Sequence, residues 1–127
     1  MAPNYYPGKT ILVAEDEDSN YELLEVLIKL TSARVIRAKD GQEAIDLCKT
    51  VPEINMVLMD LKMPGTTGYQ ATIEIKKIRP ELPIVAQTAY AMPGDRSKAL
   101  EAGCDDYLSK PIKKQPLMEK IGKFLGA

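Results

Sequence analysis

Acidic side chains follow two apolar runs of this 127-residue sequence, at the points where predicted strands end. Glu15 and Asp16 come directly after residues 11–14, and Asp60 comes directly after residues 56–59. In an open parallel sheet such strand ends can meet in one cleft. Two unit charges about 4 Å apart repel by roughly 4 kcal/mol at an effective dielectric constant near 20, so the cluster requires a cation or a proton. Oxygen ligands without histidine or cysteine favour magnesium, manganese or calcium, and magnesium is the usual partner of phosphate.

The next two predicted strands end in a hydroxyl group and a cation. Thr88 and Ala89 close the fourth apolar run, and Lys110 closes the fifth. A hydroxyl, an ammonium and backbone N–H groups complement phosphoryl oxygens, while Asp60 can supply an attacking oxygen. The chain contains no histidine, which removes the usual general base and any phosphohistidine of its own. These residues predict a phosphoryl-transfer site that depends on carboxylates, a hydroxyl and a lysine.

Five apolar runs alternate with five segments of helical spacing, which predicts a βαβαβαβαβα order. The predicted strands cover residues 11–14, 35–36, 56–59, 84–86 and 107–108. Continuous apolar character in the first, third and fourth runs is typical of strands covered by helices on both faces. Arg34 and Arg37 flank the second run, which favours an edge strand. The fold class is therefore α/β, with one parallel sheet and right-handed crossovers.

Composition excludes several functions. A net charge of -1, from 17 basic and 18 acidic side chains, provides no basic surface for nucleic acid. We find no apolar run long enough for a membrane span and no signal peptide at the start, so we expect a cytoplasmic protein. Cys48 and Cys104 lack metal or redox spacing and are interpreted as core fillers. Glu17 and Asp18 are interpreted as charges that complement a helix N-terminus.

The sequence resembles the receiver domain of two-component signalling over residues 9–126. The matching motifs are residues 11–16 (ILVAED), residues 57–64 (VLMDLKMP) with Gly68, residues 88–89 (TA) and residues 110–111 (KP). The resemblance implies a flavodoxin-like, doubly wound (βα)5 domain of strand order 2-1-3-4-5. It also implies a linker or tail at residues 1–8 and a receiver domain at residues 9–127, which catalyses only its own phosphorylation and dephosphorylation.

The resemblance also assigns roles to the residues at the strand ends. Asp60 would accept a phosphoryl group from a phosphohistidine on a partner, either a histidine kinase or a histidine phosphotransfer domain. Asp16 and Asp60 would ligate Mg²⁺ together with the backbone carbonyl of Lys62. Glu15, where the family often has aspartate, would act directly or through water. Lys110 would contact Asp60 and then the phosphoryl group.

A second set of residues would transmit and time the signal by the same resemblance. Thr88 would turn inward to a phosphoryl oxygen, coupled to Tyr107 at the switch-aromatic position. Pro111 would follow a cis peptide bond. Lys62 and Tyr90 would tune the access of hydrolytic water, and their bulk favours a long phosphoryl lifetime.

The expected output is a population shift on the face built from the fourth helix, fifth strand and fifth helix, which would bind a downstream protein or domains of a parent kinase. Residues 87–93 (QTAYAMP) resemble receivers fused behind histidine kinases, which favours a hybrid-kinase parent. Two alternatives remain. A magnesium-dependent phosphohydrolase would also form an aspartyl phosphate, although Lys62 stands where such an enzyme usually has an acid. The other is a pseudo-receiver that is never phosphorylated.

Overall fold

Five strands and five helices alternate along the chain, as the sequence predicts. The computed structural model describes residues 4–89 and 93–126, without the side chains of Pro93 and Asp95. The strands are β1 (Thr10–Ala14), β2 (Arg34–Ala38), β3 (Ile54–Asp60), β4 (Ile84–Thr88) and β5 (Asp106–Ser109). The helices are α1 (Asp18–Lys29), α2 (Gly41–Thr50), α3 (Gly68–Ile78), α4 (Pro93–Ala102) and α5 (Lys114–Leu125).

The strands form one parallel sheet in the order β2-β1-β3-β4-β5, which confirms the predicted topology and the edge position of β2. The chain runs outward from β1 to β2 and then returns to β3 on the other side of β1. The order therefore reverses between β1 and β3, and a crevice opens at the carboxyl ends of these two strands. The two acidic runs of the sequence meet at this point.

Each face of the sheet has its own apolar core, because alternate residues of a strand point to opposite faces. Val57 and Met59 of β3 pack in the core beneath α2, α3 and α4. Met56 and Leu58 pack in the other core, beneath α1 and α5. Asp60 continues the second set, so the strand directs it towards the α1 and α5 side.

The start of α3 is fitted closely to the end of β3. Thr67 caps the helix by accepting a hydrogen bond from the Gln70 backbone N–H at 3.2 Å, and the Gln70 side chain accepts one from the Thr67 N–H at 3.1 Å. A Cβ atom on Gly68 would collide with the carbonyl oxygen of Asp60. Glycine at position 68 therefore permits the close approach of this helix to the loop that follows Asp60.

The N-terminal segment contacts the α1 and α5 side of the domain. The Tyr6 backbone N–H donates to the Thr31 carbonyl at 2.6 Å, and the Tyr6 ring packs against the apolar core on that side. The Asn4 side chain donates to the Met118 carbonyl of α5 at 2.9 Å. Within the described ranges, no helix combines the length and apolar character that a bilayer crossing requires.

Candidate functional site

Three carboxylates converge at the carboxyl ends of β1 and β3, as the sequence predicts. Glu15 and Asp60 are 0% and 4% exposed, whereas Asp16 is exposed to solvent. One carboxylate oxygen from each residue lies within 4.8 Å of the others. The buried pair therefore forms the floor of an acidic cluster, and Asp16 stands at its rim.

Lys110 completes the buried part of this cluster from the end of β5. Its Nζ lies 3.2 Å from Asp60 Oδ2 and 3.1 Å from Glu15 Oε1. The Asp60 contact is a hydrogen bond, whereas the Glu15 contact is an ion pair without hydrogen-bond geometry. The Lys110 backbone N–H donates to the Thr88 carbonyl at 2.7 Å, which ties the residue to β4. The Lys110–Pro111 peptide bond is cis, as predicted.

The electrostatics of the cluster favour an additional cation. Burial, followed by repulsion from Asp60, raises the pKa of Glu15 from 4.5 to about 7. Burial opposes the charge on Lys110, but attraction to Asp60 and Glu15 outweighs it and raises the pKa of the ammonium. One lysine thus leaves the negative charge of the three carboxylates only partly compensated. The donors are all oxygens, as hard divalent cations require, so Glu15, Asp16 and Asp60 fit Mg²⁺.

The two carboxylate oxygens of Asp60 have separate partners. Asp60 Oδ1 accepts a hydrogen bond from the Lys62 backbone N–H at 3.1 Å, while Oδ2 accepts one from Lys110. The Leu61 N–H donates to the Gln87 carbonyl at 3.2 Å, which anchors the following loop to β4. The Lys62 side chain is exposed at the mouth of the cleft. Asp60 is consequently held in one orientation from both sides.

The residues predicted to transmit a signal lie on the next two strands. Thr88 ends β4 and is 3% exposed. Tyr107 lies in β5, half-buried against the core beneath α2 to α4, and the guanidinium of Arg96 stands 5.0 Å from its ring centroid. This cation–π contact joins α4 to β5. The predicted role of Tyr90 lies outside the described residues.

Sequence reasoning missed Arg37, which it interpreted only as an edge-strand residue. Arg37 Nε donates to the Glu15 carbonyl at 3.1 Å, and one terminal nitrogen lies 2.8 Å from an oxygen of Asp18. Its guanidinium also stacks 4.6 Å from the ring centroid of Tyr21. Arg37 therefore fixes the loop that presents Glu15 and Asp16. The available signal for this role was an arginine on the strand next to the one that ends in the acidic run.

The cysteines stay outside the site, as predicted. Cys48 and Cys104 are free thiols, 2% and 4% exposed. Burial raises the pKa of Cys48 to about 11, and burial also raises the pKa of Cys104. Neither thiol is activated as a nucleophile, because the thiolate is the reactive form.

The fold and the site define a class: flavodoxin-like α/β domains with an acidic cluster and a lysine at the carboxyl edge of the sheet. Residues 11–122 match the model of the response regulator receiver domain, and the chain belongs to this family. This match confirms the resemblance seen in the sequence. Members of the family act in two-component signal transduction.

Three similar proteins place the chain within this family. The polar-differentiation response regulator DivK of Brucella anthropi is 34% identical over 121 residues, which cover 93% of this chain and 97% of DivK. The receiver domain of sensor histidine kinase PA1611 from Pseudomonas aeruginosa, with magnesium in its active-site cleft, matches with a TM-score of 0.87 and 34% identity, over 94% of this chain and 99% of that one. The receiver domain of Ssk1, solved with the histidine phosphotransfer protein Ypd1 of Saccharomyces cerevisiae, matches with a TM-score of 0.87 and 30% identity, over 94% and 90%.

Proposed function

We propose that this domain is a phosphoacceptor, in which Asp60 takes a phosphoryl group from a phosphohistidine of a partner protein in the presence of Mg²⁺. The observation that carries the proposal is the buried Asp60 carboxylate, held between the Lys62 N–H and the Lys110 ammonium beside two further carboxylates. The chain has no histidine, so the donor is a separate protein or domain. The Ssk1 receiver bound to Ypd1 supports a histidine phosphotransfer protein as one such donor.

Mg²⁺ would be held by Glu15, Asp16, Asp60 and the backbone carbonyl of Lys62, where it supplies positive charge that screens the carboxylates from the incoming phosphoryl group. The magnesium in the PA1611 receiver domain supports this assignment. The raised pKa of Glu15 supports it as well, because burial and repulsion from Asp60 both disfavour its charge, and a bound cation would offset them. Glu15 would bind Mg²⁺ as the carboxylate, so its proton would have to leave first.

Phosphoryl transfer at this site needs positioning and charge compensation more than covalent chemistry. A bond forms between an Asp60 oxygen and phosphorus, the bond from phosphorus to the donor imidazole breaks, and the imidazole keeps that electron pair. Lys110 then binds a phosphoryl oxygen, which also keeps Asp60 aligned. Thr88 donates its hydroxyl to another phosphoryl oxygen from the end of β4. The exposed Lys62 side chain, with Tyr90, limits the approach of hydrolytic water.

The donor would dock on α1, which begins directly after the acidic loop. Leu23, Val26 and Leu30 are 42%, 62% and 61% exposed. Their spacing of three and four residues places Leu23, Val26 and the C-cap residue Leu30 on one side of the helix. An exposed apolar strip beside a charged cleft suits a protein interface. The apolar strip would bind the partner, and the cleft would receive the reacting group. The Arg37 contacts hold the intervening loop, so docking on α1 would bring the donor to Asp60 in a fixed position.

The output would pass through α4, β5 and α5. Added phosphoryl charge draws Thr88 inward, and Tyr107, joined to α4 by Arg96, follows. A cavity of about 590 Å³ opens on this face between the three elements, lined among others by Arg96, Tyr107 and Lys120. It offers a downstream partner, or a domain of a parent kinase, a concave surface whose shape depends on Tyr107.

A hybrid histidine kinase remains our proposal for the parent protein. The PA1611 receiver, which belongs to a sensor histidine kinase, supports this proposal. DivK is evidence against it, because the match covers 97% of that response regulator. Sequencing the gene on both sides of this segment decides the question. An adjoining kinase core would establish the hybrid parent, and stop and start codons directly at the ends would exclude it.

The proposal is tested by incubating the chain with Mg²⁺ and acetyl phosphate and measuring its intact mass. We expect the mass of one phosphoryl group in the wild type and none in Asp60→Asn or in excess chelator. The phosphohydrolase alternative predicts turnover of small phosphate esters without a stable adduct. The pseudo-receiver alternative predicts no added mass, and that result would overturn the proposal.

A further inference from the structure

Gln87 is a buried amide that the proposed chemistry does not use. It is 0% exposed in β4, and neither Nε2 nor Oε1 has a hydrogen-bond partner among the described residues. A buried amide without partners costs free energy that an apolar side chain of similar size avoids. Buried polar groups in folded proteins nearly always find a partner, so this exception requires an explanation.

The position of Gln87 in the sheet relates it to the site. Its Cα atom pairs with Asp60 on β3 and with Leu108 on β5. Paired residues of a parallel sheet point to the same face, and Val85, two residues earlier, packs in the core beneath α1 and α5. Gln87 therefore shares a face with Asp60. Lys110, which follows β5, reaches Asp60 on β3 by crossing the end of β4, the strand that carries Gln87.

The hydrogen-bond donors of Lys110 offer a partner for the Gln87 amide. An ammonium group has three N–H donors, and the contacts found for Lys110 Nζ are Asp60 Oδ2 and Glu15 Oε1. Asp60 accepts a hydrogen bond, whereas Glu15 contributes only an ion pair, and the proposed function assigns both carboxylates to Mg²⁺. Once Mg²⁺ draws Glu15 away, the partly buried ammonium loses that contact and has an N–H group for another acceptor. Gln87 Oε1 is an acceptor without a partner on the strand that Lys110 crosses.

We propose that Gln87 is a positioning residue for Lys110: in the Mg²⁺-bound site its Oε1 accepts a hydrogen bond from Lys110 Nζ. The amide keeps the ammonium over Asp60 while Glu15 turns to the metal. Gln87 does not touch the phosphoryl group, and it acts only through Lys110. This inference rests on the proposed function, because it requires Mg²⁺ on the acidic cluster.

The test is the coupling between Gln87 and Mg²⁺ binding, measured by isothermal titration calorimetry and by urea unfolding. Gln87→Met keeps the side-chain volume and removes both polar atoms. We expect this variant to be more stable than the wild type without metal, yet to bind Mg²⁺ about tenfold more weakly, the loss of one hydrogen bond to a charged group. Leu58→Met, a buried change on the neighbouring strand and the same face, is the control and should keep wild-type Mg²⁺ affinity.

A purely structural role for Gln87 predicts a different result: stability changes equally with and without metal, and Mg²⁺ affinity stays at the wild-type value. That outcome would overturn the inference. The link to Lys110 is tested in a Lys110→Met background, where Gln87→Met should leave Mg²⁺ affinity unchanged. A tenfold loss in that background as well would show that Gln87 acts on the metal without Lys110, against the inference.

Phosphorylation by acetyl phosphate separates this inference from the proposed function. We expect Gln87→Met to react about tenfold more slowly than the wild type, since Lys110 is less well held. A wild type that is never phosphorylated on Asp60 would refute the proposed function. A wild type that is phosphorylated, with Gln87→Met reacting at the same rate and binding Mg²⁺ equally well, would refute the role of Gln87 alone.

Discussion

Replacing Glu15 by glutamine should stabilise the metal-free domain at neutral and alkaline pH. The Glu15 carboxyl group is fully buried beside Asp60, and burial raises its pKa from 4.5 to about 7. Holding its charge in the folded state therefore costs free energy despite the Lys110 contact. In the wild type, the Glu17 backbone N–H donates a hydrogen bond to Glu15 Oε2 at 3.2 Å. Glutamine keeps the shape of the side chain and an oxygen that can accept this bond, but it carries no charge.

The magnitude follows from linkage between proton binding and folding. One pKa unit corresponds to about 1.4 kcal/mol, so the rise of the pKa from 4.5 to about 7 amounts to roughly 3 to 4 kcal/mol. The unfolded chain releases the Glu15 proton near pH 4.5 and the folded protein near pH 7. Between these values the unfolded state binds fewer protons, so this group lowers stability as pH rises from about 4.5 to 7. The cost is absent below this window and complete above it.

The measurement is urea unfolding in excess chelator at pH 5 and pH 8. We expect Glu15→Gln to exceed the wild type by about 1 to 3 kcal/mol at pH 8, and by much less at pH 5. Glu22→Gln, which removes the same charge from an exposed position of α1, should match the wild type at both values. A Glu15→Gln variant that is less stable than the wild type at pH 8, or that shows no pH dependence relative to it, would refute the electrostatic account of the cluster.

Three further substitutions test the fold and the donor surface. Gly68→Ala should destabilise the domain by about 2 kcal/mol or more in thermal unfolding, because the new Cβ atom meets the Asp60 carbonyl that ends β3. Gly94→Ala is the control: open space surrounds this position, so stability should change by about 0.5 kcal/mol or less. Tyr6→Ala should cost about 1 to 3 kcal/mol of buried apolar contact, and the exposed Tyr5→Ala almost nothing in the same assay; equal losses would contradict the packing of this segment. Val26→Glu should slow phosphoryl transfer from a phosphohistidine donor protein and leave the acetyl phosphate reaction unchanged, and a loss in both reactions would argue against docking on α1.

The sequence predicted the strands and most of the site because both depend on short-range signals, while the order of the strands followed from the family resemblance. Continuous apolar runs marked β1, β3 and β4, and parallel strands bring their carboxyl ends to one edge. That rule alone placed Asp60, Thr88 and Lys110 together. The prediction required only the order of the strands and the residues that follow them.

The residues that support the site were harder to predict, because their contacts depend on register and on the face of a strand. Arg37 reaches the Glu15 carbonyl only because β2 pairs with β1 in one particular register. Gln87 has meaning only once its face of β4 is known. Tyr6 lies in a segment predicted as a linker or tail, where no periodic pattern indicates packing. Such contacts arise between distant parts of the chain, and composition does not encode them.

The most direct test of the central claim is the position of the phosphoryl group on the chain. Borohydride reduces an acyl phosphate to an alcohol, so treatment after acetyl phosphate and Mg²⁺ should convert Asp60 into homoserine, which peptide mass spectrometry locates. We predict homoserine at position 60 alone, and none when Mg²⁺ is removed. Homoserine at Asp16 or another aspartate, or a phosphoryl mass that resists reduction, would contradict the assignment of Asp60 as the phosphoacceptor.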